Sequence, residues 1–291
     1  MKPINLKFLA SCFILFFLLQ INVYSQSMNN KFWRQYNWFI GVSAGPAQTS
    51  ILNHSAPVIP PINLTKKNSF SISFETGYLF SKYFGVSTGI GLSPYFAQQS
   101  LDNYSITLDT IDSENEVYER KIAGNNIKEV QRIYFLEIPL MLNFLFPNGR
   151  TNGFYIQSGI NLSIPVIKNY SSSGTYSYSG YYPAYNVTIT DIPYEGFKSN
   201  VKSDISGELK IKTINPEIIA SGGYYFYPDK RYQFSLGFFY KRIFTDISDY
   251  SPVSSFQLST QENQIRSFME GSEKVTTSSM GIIVSLRYFI K

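Results

Sequence analysis

Eight times along this chain, apolar side chains fall on every second residue for at least ten residues, and no other feature limits the fold as strongly. An extended strand points successive side chains to opposite faces, so each such stretch reads as a strand with one greasy face. In 69–80, Phe70, Ile72, Phe74, Thr76, Tyr78 and Phe80 share one face, while Ser71, Ser73, Glu75 and Gly77 share the other. The pattern repeats in 84–96, 132–146, 154–164, 214–227, 232–244 and 275–290, and more weakly in 38–47. Each stretch reaches the roughly 9 to 11 residues that a tilted strand needs to cross a bilayer. The connections 81–83, 147–152 and 228–231 are tight, whereas 48–68, 98–130, 166–210 and 246–274 are long. Strict alternation of short and long connections is the signature of an up-and-down barrel, with tight turns in the periplasm and long loops outside.

The pattern therefore predicts an all-β fold, an eight-stranded antiparallel up-and-down transmembrane β-barrel. Its even strand number leaves both termini in the periplasm. A soluble sandwich or lipocalin-like barrel also alternates. Here the faces opposite the apolar ones are unusually rich in Gly and Ser, which suits the crowded inside of an eight-strand cylinder. Unpaired backbone groups are not tolerated in hydrocarbon, so 38–47 and 275–290 must pair and close the ring.

Lys2 and Lys7, the apolar run Phe8 to Leu19 and the polar stretch to Ser25 have the layout of a secretory signal peptide cut before Gln26. Residues 1–25 are thus expected to be removed, leaving 26–291 as one barrel domain with four external loops. Cys12 leaves with them, so no disulfide, thiol nucleophile or thiolate metal site is expected in the mature chain. Losing two lysines and no acid lowers the formal charge from +5 to +3, too weak a basic balance for a nucleic-acid partner. After the signal no run of eighteen apolar residues remains, so a membrane is crossed by strands. The 23 tyrosines and 24 phenylalanines favour strands and membrane interfaces. Trp33, Tyr36 and Trp38 read as a periplasmic aromatic girdle.

If the apolar faces meet lipid, Glu75, Glu137, Glu217, Lys241 and Arg287 all point inward. Buried charges need partners, so these five are expected to form a luminal ion-pair network with Gln157 and Asn161. Such a network orders the lumen, or else lines a gated proton or ion path. Eight strands leave no wide solute channel. His54 is the one histidine, in a predicted loop, with no catalytic or metal-ligand pattern around it, so neither an enzyme nor a bound cofactor is expected. In 166–210, Tyr170, Tyr176, Tyr178, Tyr181, Tyr182 and Tyr185 are interleaved with Ser and Gly. That composition suits a surface recognition loop, and equally a loop whose tyrosines fold down over the barrel rim. The partners expected are outer-membrane lipid, the assembly machinery during biogenesis, and a surface or secretion-system protein.

The end of the chain, Leu286-Arg287-Tyr288-Phe289-Ile290, resembles the C-terminal assembly signal of outer-membrane barrels, with a departure at the terminal Lys291. Phe135-Leu136-Glu137-Ile138-Pro139-Leu140-Met141-Leu142 resembles the "YLEIPLLLK" strand of the PorT-like outer-membrane β-barrel family of Bacteroidetes. The Gly77-Tyr78 strand, tight turn and Gly89-containing strand before it fit the same pattern. That resemblance implies an outer-membrane barrel whose founding member is linked to gliding and protein secretion, and it carries over no catalytic residue. Two function classes follow: a structural or surface-binding barrel, and an accessory part of a secretion or assembly machine.

Overall fold

The computed structural model describes residues 37–290 apart from 56–61, 150, 230, 252–255 and 263. The expected signal peptide at 1–25, Trp33 and Tyr36 lie outside the described residues. Twelve strands follow in chain order: β1 (Trp38–Ser55), β2 (Asn63–Leu79), β3 (Phe84–Ile111), β4 (Val117–Pro147), β5 (Asn152–Tyr182), β6 (Val187–Ile189), β7 (Lys198–Glu208), β8 (Asn215–Asp229), β9 (Tyr232–Ile243), β10 (Ser259–Gln261), β11 (Gln264–Ile265) and β12 (Ser272–Ile290). Among the described residues, β4, β3, β2, β1, β12, β9, β8 and β5 are hydrogen-bonded in that order, and β4 pairs β5 to complete the ring. All eight contacts are antiparallel, and the first and last strands run together from Trp38 opposite Ile290 to Ser55 opposite Ser272. The eight alternating stretches are thus the eight strands of a closed barrel.

Turn chemistry fixes one end. Ser81 Oγ accepts from the backbone N–H of Tyr83 (3.1 Å) and Phe84 (3.1 Å), tightening the β2–β3 turn. Between β4 and β5, Gly149 sits at φ 89°, a left-handed conformation that costs glycine little. Outward-facing aromatics ring this tight-turn end: Trp38 meets Tyr78 at 5.1 Å, Phe84 meets Phe144 at 5.4 Å, Phe154 meets Tyr224 at 5.4 Å, and Tyr232 meets Tyr288 at 5.2 Å between ring centroids. Such a girdle marks a membrane interface.

Next to the girdle the barrel is inside-out. Phe74, Leu140, Ile160, Leu236 and Phe238 are exposed on its outer surface, with Leu140 at 67% and Phe238 at 71%. Ser43, Ser87, Glu137, Asn143, Asn161, Glu217, Lys241 and Arg287 are buried inside it. A continuous apolar belt around a polar core is stable only against hydrocarbon.

At the other end the strands outrun the sequence pattern. The stretches 98–130 and 166–210, expected as loops, are mostly strand: β3 and β4 continue to a turn at 112–116, and β5 continues to Tyr182 before β6 and β7 return along it. In 48–68, β1 runs on to Ser55 and β2 begins at Asn63. The period-two pattern fades there because the outer surface meets water and no longer has to be apolar. In the turn, Asp112 Oδ1 accepts from the N–H of Glu114 (2.9 Å) and Glu116 (2.9 Å), and these bonds, that to Glu116 foremost, hold its carboxyl below the usual range. Among the described residues of 246–274 little is strand, and Ile247, Phe256, Leu258, Ile265, Phe268 and Met269 fold into the mouth of the barrel.

Candidate functional site

Three layers fill the cylinder. Nearest the tight turns, Phe39, Phe289, Tyr155, Tyr225 and Tyr227 are buried, with Phe39 and Phe289 centroids 5.6 Å apart. The middle layer is polar. The five charged residues expected inside are there, but the structure divides them into two clusters instead of the single network predicted.

In the first cluster, Arg287 grips Glu75 with both arms of its guanidinium: Nε donates to Oε1 at 2.8 Å and Nη2 to Oε2 at 3.1 Å. Nη2 also donates to Asn143 Oδ1 at 3.3 Å, an oxygen that Gln157 Nε2 donates to as well. The Arg287 guanidinium lies 4.6 Å from the centre of the Phe39 ring, so its face is covered too.

In the second cluster, Lys241 Nζ donates to Glu137 Oε2 at 2.5 Å and to Ser93 Oγ at 3.0 Å. Asn161 Nδ2 bridges the two acids, donating to Glu217 Oε2 at 2.7 Å and Glu137 Oε2 at 3.4 Å. The Tyr95 hydroxyl donates to Glu217 Oε1 at 2.5 Å. A cavity of about 70 Å³ between the clusters is lined by Glu75, Glu137, Gln157, Asn161 and Lys241, room for a few waters. Among the described residues Glu137 Oε1 and Asn161 Oδ1 have no protein partner, and both residues line this space.

The sequence pattern puts Ser93 and Asn143 on the inward face without marking them as members of the network, and it does not single out Tyr95, which shares the inward parity of Gly91. The small residues are there for space. Gly41 lies beside the first cluster, and a β-carbon there would come within 3.0 Å of the Arg287 side chain and 3.1 Å of the Glu75 carboxylate.

The third layer is largely apolar, with Gln99, Glu129 and Gln131 buried in it. Ile51, Tyr95, Ile133, Phe135, Ile243, Ile247 and Met269 pack together, and above them Leu101, Ile122, Ile127, Tyr176 and Tyr178 enclose Phe256, Leu258, Ile265 and Phe268 of the mouth segment. The segment is latched by Glu129, which is fully buried. Its carboxylate accepts from Gln131 Nε2 (2.6 Å), Ser267 Oγ (2.7 Å) and the Phe268 N–H (3.0 Å). Burial outweighs these bonds and raises the Glu129 pKa to about 7. Glu129 falls in a stretch that reads as a loop, and its partners lie 138 and 139 positions away, so no local pattern points to it.

The six tyrosines of the expected recognition loop divide. Tyr176 and Tyr178 are buried, and burial pushes both phenols up. Tyr170 points inward with its hydroxyl donating to the Ile265 carbonyl at 3.4 Å. Tyr182 stacks on Tyr118 at 5.1 Å and donates to Asp112 Oδ2 at 3.1 Å. Only Tyr181 and Tyr185 face outward, with hydroxyls on Asn186 (3.0 Å) and Glu116 (2.5 Å). Tyr170, Tyr176, Tyr178 and Tyr182 are therefore turned away from the outer surface, because the inside of the extended end needs an apolar filling, and Tyr181 and Tyr185 stay on it. His54 lies 3.4 Å from Thr276 Oγ1, and among the described residues no cluster of three potential metal ligands forms.

Residues 24–249 match the family described as the outer membrane protein beta-barrel domain, well over half of the chain. The chain belongs to that family. An outer membrane beta-barrel domain of this kind is a bacterial outer-membrane protein that crosses the bilayer with strands, as the inside-out middle of this barrel does. Among solved structures, it is similar to Neisserial surface protein A at 9% identity and TM-score 0.34, covering 87% of this chain and 97% of that one. Outer membrane protein OprG from Pseudomonas aeruginosa aligns at 12% identity and TM-score 0.35, covering 88% and 97%. Among curated proteins, no sequence matches.

Proposed function

We propose that this barrel is a non-enzymatic anchor that displays a binding sheet at the cell surface, with both termini in the periplasm. One observation carries the reading: β3, β4 and β5 continue as paired strands well past the apolar belt, to turns at 112–116 and 183–186, and β6 and β7 widen the sheet. Paired strand built beyond the membrane holds a firm surface where something outside can be met. A channel is disfavoured by the three filled layers and by the seated mouth segment. Ile111, Val117, Tyr185 and Tyr194 are exposed at the tip, the last at 85%, and supply apolar and aromatic contact area.

Labelling of Tyr194→Cys tests the display. On intact cells a membrane-impermeant maleimide is expected to react, and reaction only after the outer membrane is permeabilised would place the tip on the wrong side. Replacing 186–196 by a short turn is expected to abolish surface binding while leaving export of other proteins intact.

A second reading, an accessory of a gliding or protein-secretion machine, rests on the Phe135–Leu142 motif. The glutamate of that motif, Glu137, is held in the lumen by Lys241. A secretion defect in a clean knockout would favour it over display.

A further inference from the structure

Just above the apolar belt, the outward face of three neighbouring strands turns hydrophilic. Register places Arg132 of β4 beside Asn169 of β5, and Asn169 beside Glu208 of β7; the next row is Val130, Ser171 and Ser206. Residues opposite one another in antiparallel strands share a face. Val130, Arg132, Asn169, Ser171, Ser206 and Gly207, with Tyr170 beneath Gly207, line a cleft of about 510 Å³, within the size range of small-molecule sites.

The strand itself sets the height of this cleft. Tyr134, two residues from Arg132 toward the membrane, packs on Phe96 at 5.6 Å, and exposed Val166 and Ile167 end the lipid-facing band on β5. The cleft is therefore level with lipid headgroups at the extended end of the barrel. Among the described residues Arg132 has no ion-pair partner, whereas the acid at the far side, Glu208, is held by Lys168 at 3.3 Å. An uncompensated guanidinium thus stands beside an amide and two hydroxyls.

We propose that this cleft binds the phosphorylated sugar headgroup of an outer-leaflet glycolipid. The planar guanidinium of Arg132 takes the phosphate through paired charge-assisted hydrogen bonds, and Asn169, Ser171 and Ser206 take sugar hydroxyls. Negative charge at a membrane surface favours a cation at this height, and the polar row above it matches a sugar better than an acyl chain. The inference rests on the extended end being outside, which labelling of Tyr194→Cys tests separately.

The full chain, reconstituted in phosphatidylcholine nanodiscs, is titrated with a phosphorylated diglucosamine glycolipid and with the same lipid dephosphorylated. The wild type is expected to prefer the phosphorylated form by roughly tenfold, Arg132→Ala to lose that preference, and Arg132→Lys to keep part of it. Glucose 6-phosphate as competitor distinguishes the sources. Displacement supports a site that reads sugar phosphate in free form too, and lack of displacement supports a site that needs the membrane-held lipid. Equal binding of the two lipids by the wild type, or an undiminished preference in Arg132→Ala, overturns the proposal. Heat-modifiable migration checks that each variant is folded, and Ser206→Asp, which brings negative charge into the cleft from an exposed position, gives the same readout should Arg132→Ala fail to fold.

Discussion

The two halves of this barrel are made from the same strands and obey opposite rules. Along β4, the inward positions Ile127, Ile133 and Phe135 sit in the apolar core with Glu129 and Gln131 buried among them, and Glu137 and Asn143 sit in the polar layer with Met141 between them; the outward positions Lys128, Val130 and Arg132 are mostly polar, then Ile138, Leu140 and Leu142 are apolar. Parity does not change, so the backbone is not what differs. What differs is the surroundings. Where the outside is hydrocarbon, apolar groups gain nothing by turning inward, and the lumen takes the ions; where the outside is water, the hydrophobic effect refills the interior with apolar side chains.

The largest expected effect breaks the polar half. Lys241→Met strands two buried carboxylates and is expected to cost about 3–5 kcal/mol in urea unfolding from lipid, while Lys241→Met combined with Glu137→Gln is expected to recover a large part of it. A single-mutant cost near zero would mean that the lumen is wet enough to solvate the acids. In the apolar half, Phe268→Ala empties a packed site and is expected to cost about 3 kcal/mol, seen as faster proteolysis and hydrogen exchange of 256–269 with no loss of barrel closure. Melting of the whole barrel with it would show that the halves are not separable.

Leu140→Arg, on the hydrocarbon side of the comparison, is expected to cost about 2–4 kcal/mol, and Thr107→Arg, on the water side of β3, within about 0.5 kcal/mol. Equal costs would erase the boundary between the halves.

The smallest step concerns pH. Glu129 faces Gln131, Ser267 and the Phe268 N–H, with Tyr170, Tyr176 and Tyr250 nearby and, among the described residues, no cation paired with it. Its folded pKa, about 7, lies above the ordinary 4.5, so the seated state binds the extra proton. Stability of the mouth segment is full below the ordinary value, falls as pH rises toward 7, and then levels off. Hydrogen exchange of 264–269 from pH 5 to 8 reads this, and Glu129→Gln is expected to flatten it.

How far the sequence can be read follows from the same boundary. Where hydrocarbon enforces alternation, the strands, their closure and the inward placement of Glu75, Glu137, Glu217, Lys241 and Arg287 are legible. Beyond it, Gln98 and Gln99 are both polar, one facing outward and one buried, so they carry no period to read. The strand β7, Lys198–Glu208, has only Val201 and Ile205 as apolar residues, and its pairing with β5 comes from tertiary context. The latch between Glu129 and Ser267 joins positions with no local relation at all, and the tyrosines of β5 read as surface residues because Tyr suits a binding loop and a core equally.

The direct test of the inversion is a spin label placed on cysteines introduced singly along β4, in lipid, with oxygen and a water-soluble nickel chelate as competing relaxers. Labels at Ile138, Leu140 and Leu142 are predicted to see oxygen, a label at Lys128 to see nickel, and one at Met141 to be shielded from both. Nickel access at Leu140, or oxygen access at Met141 with Leu140 shielded, would contradict a barrel whose greasy face looks out.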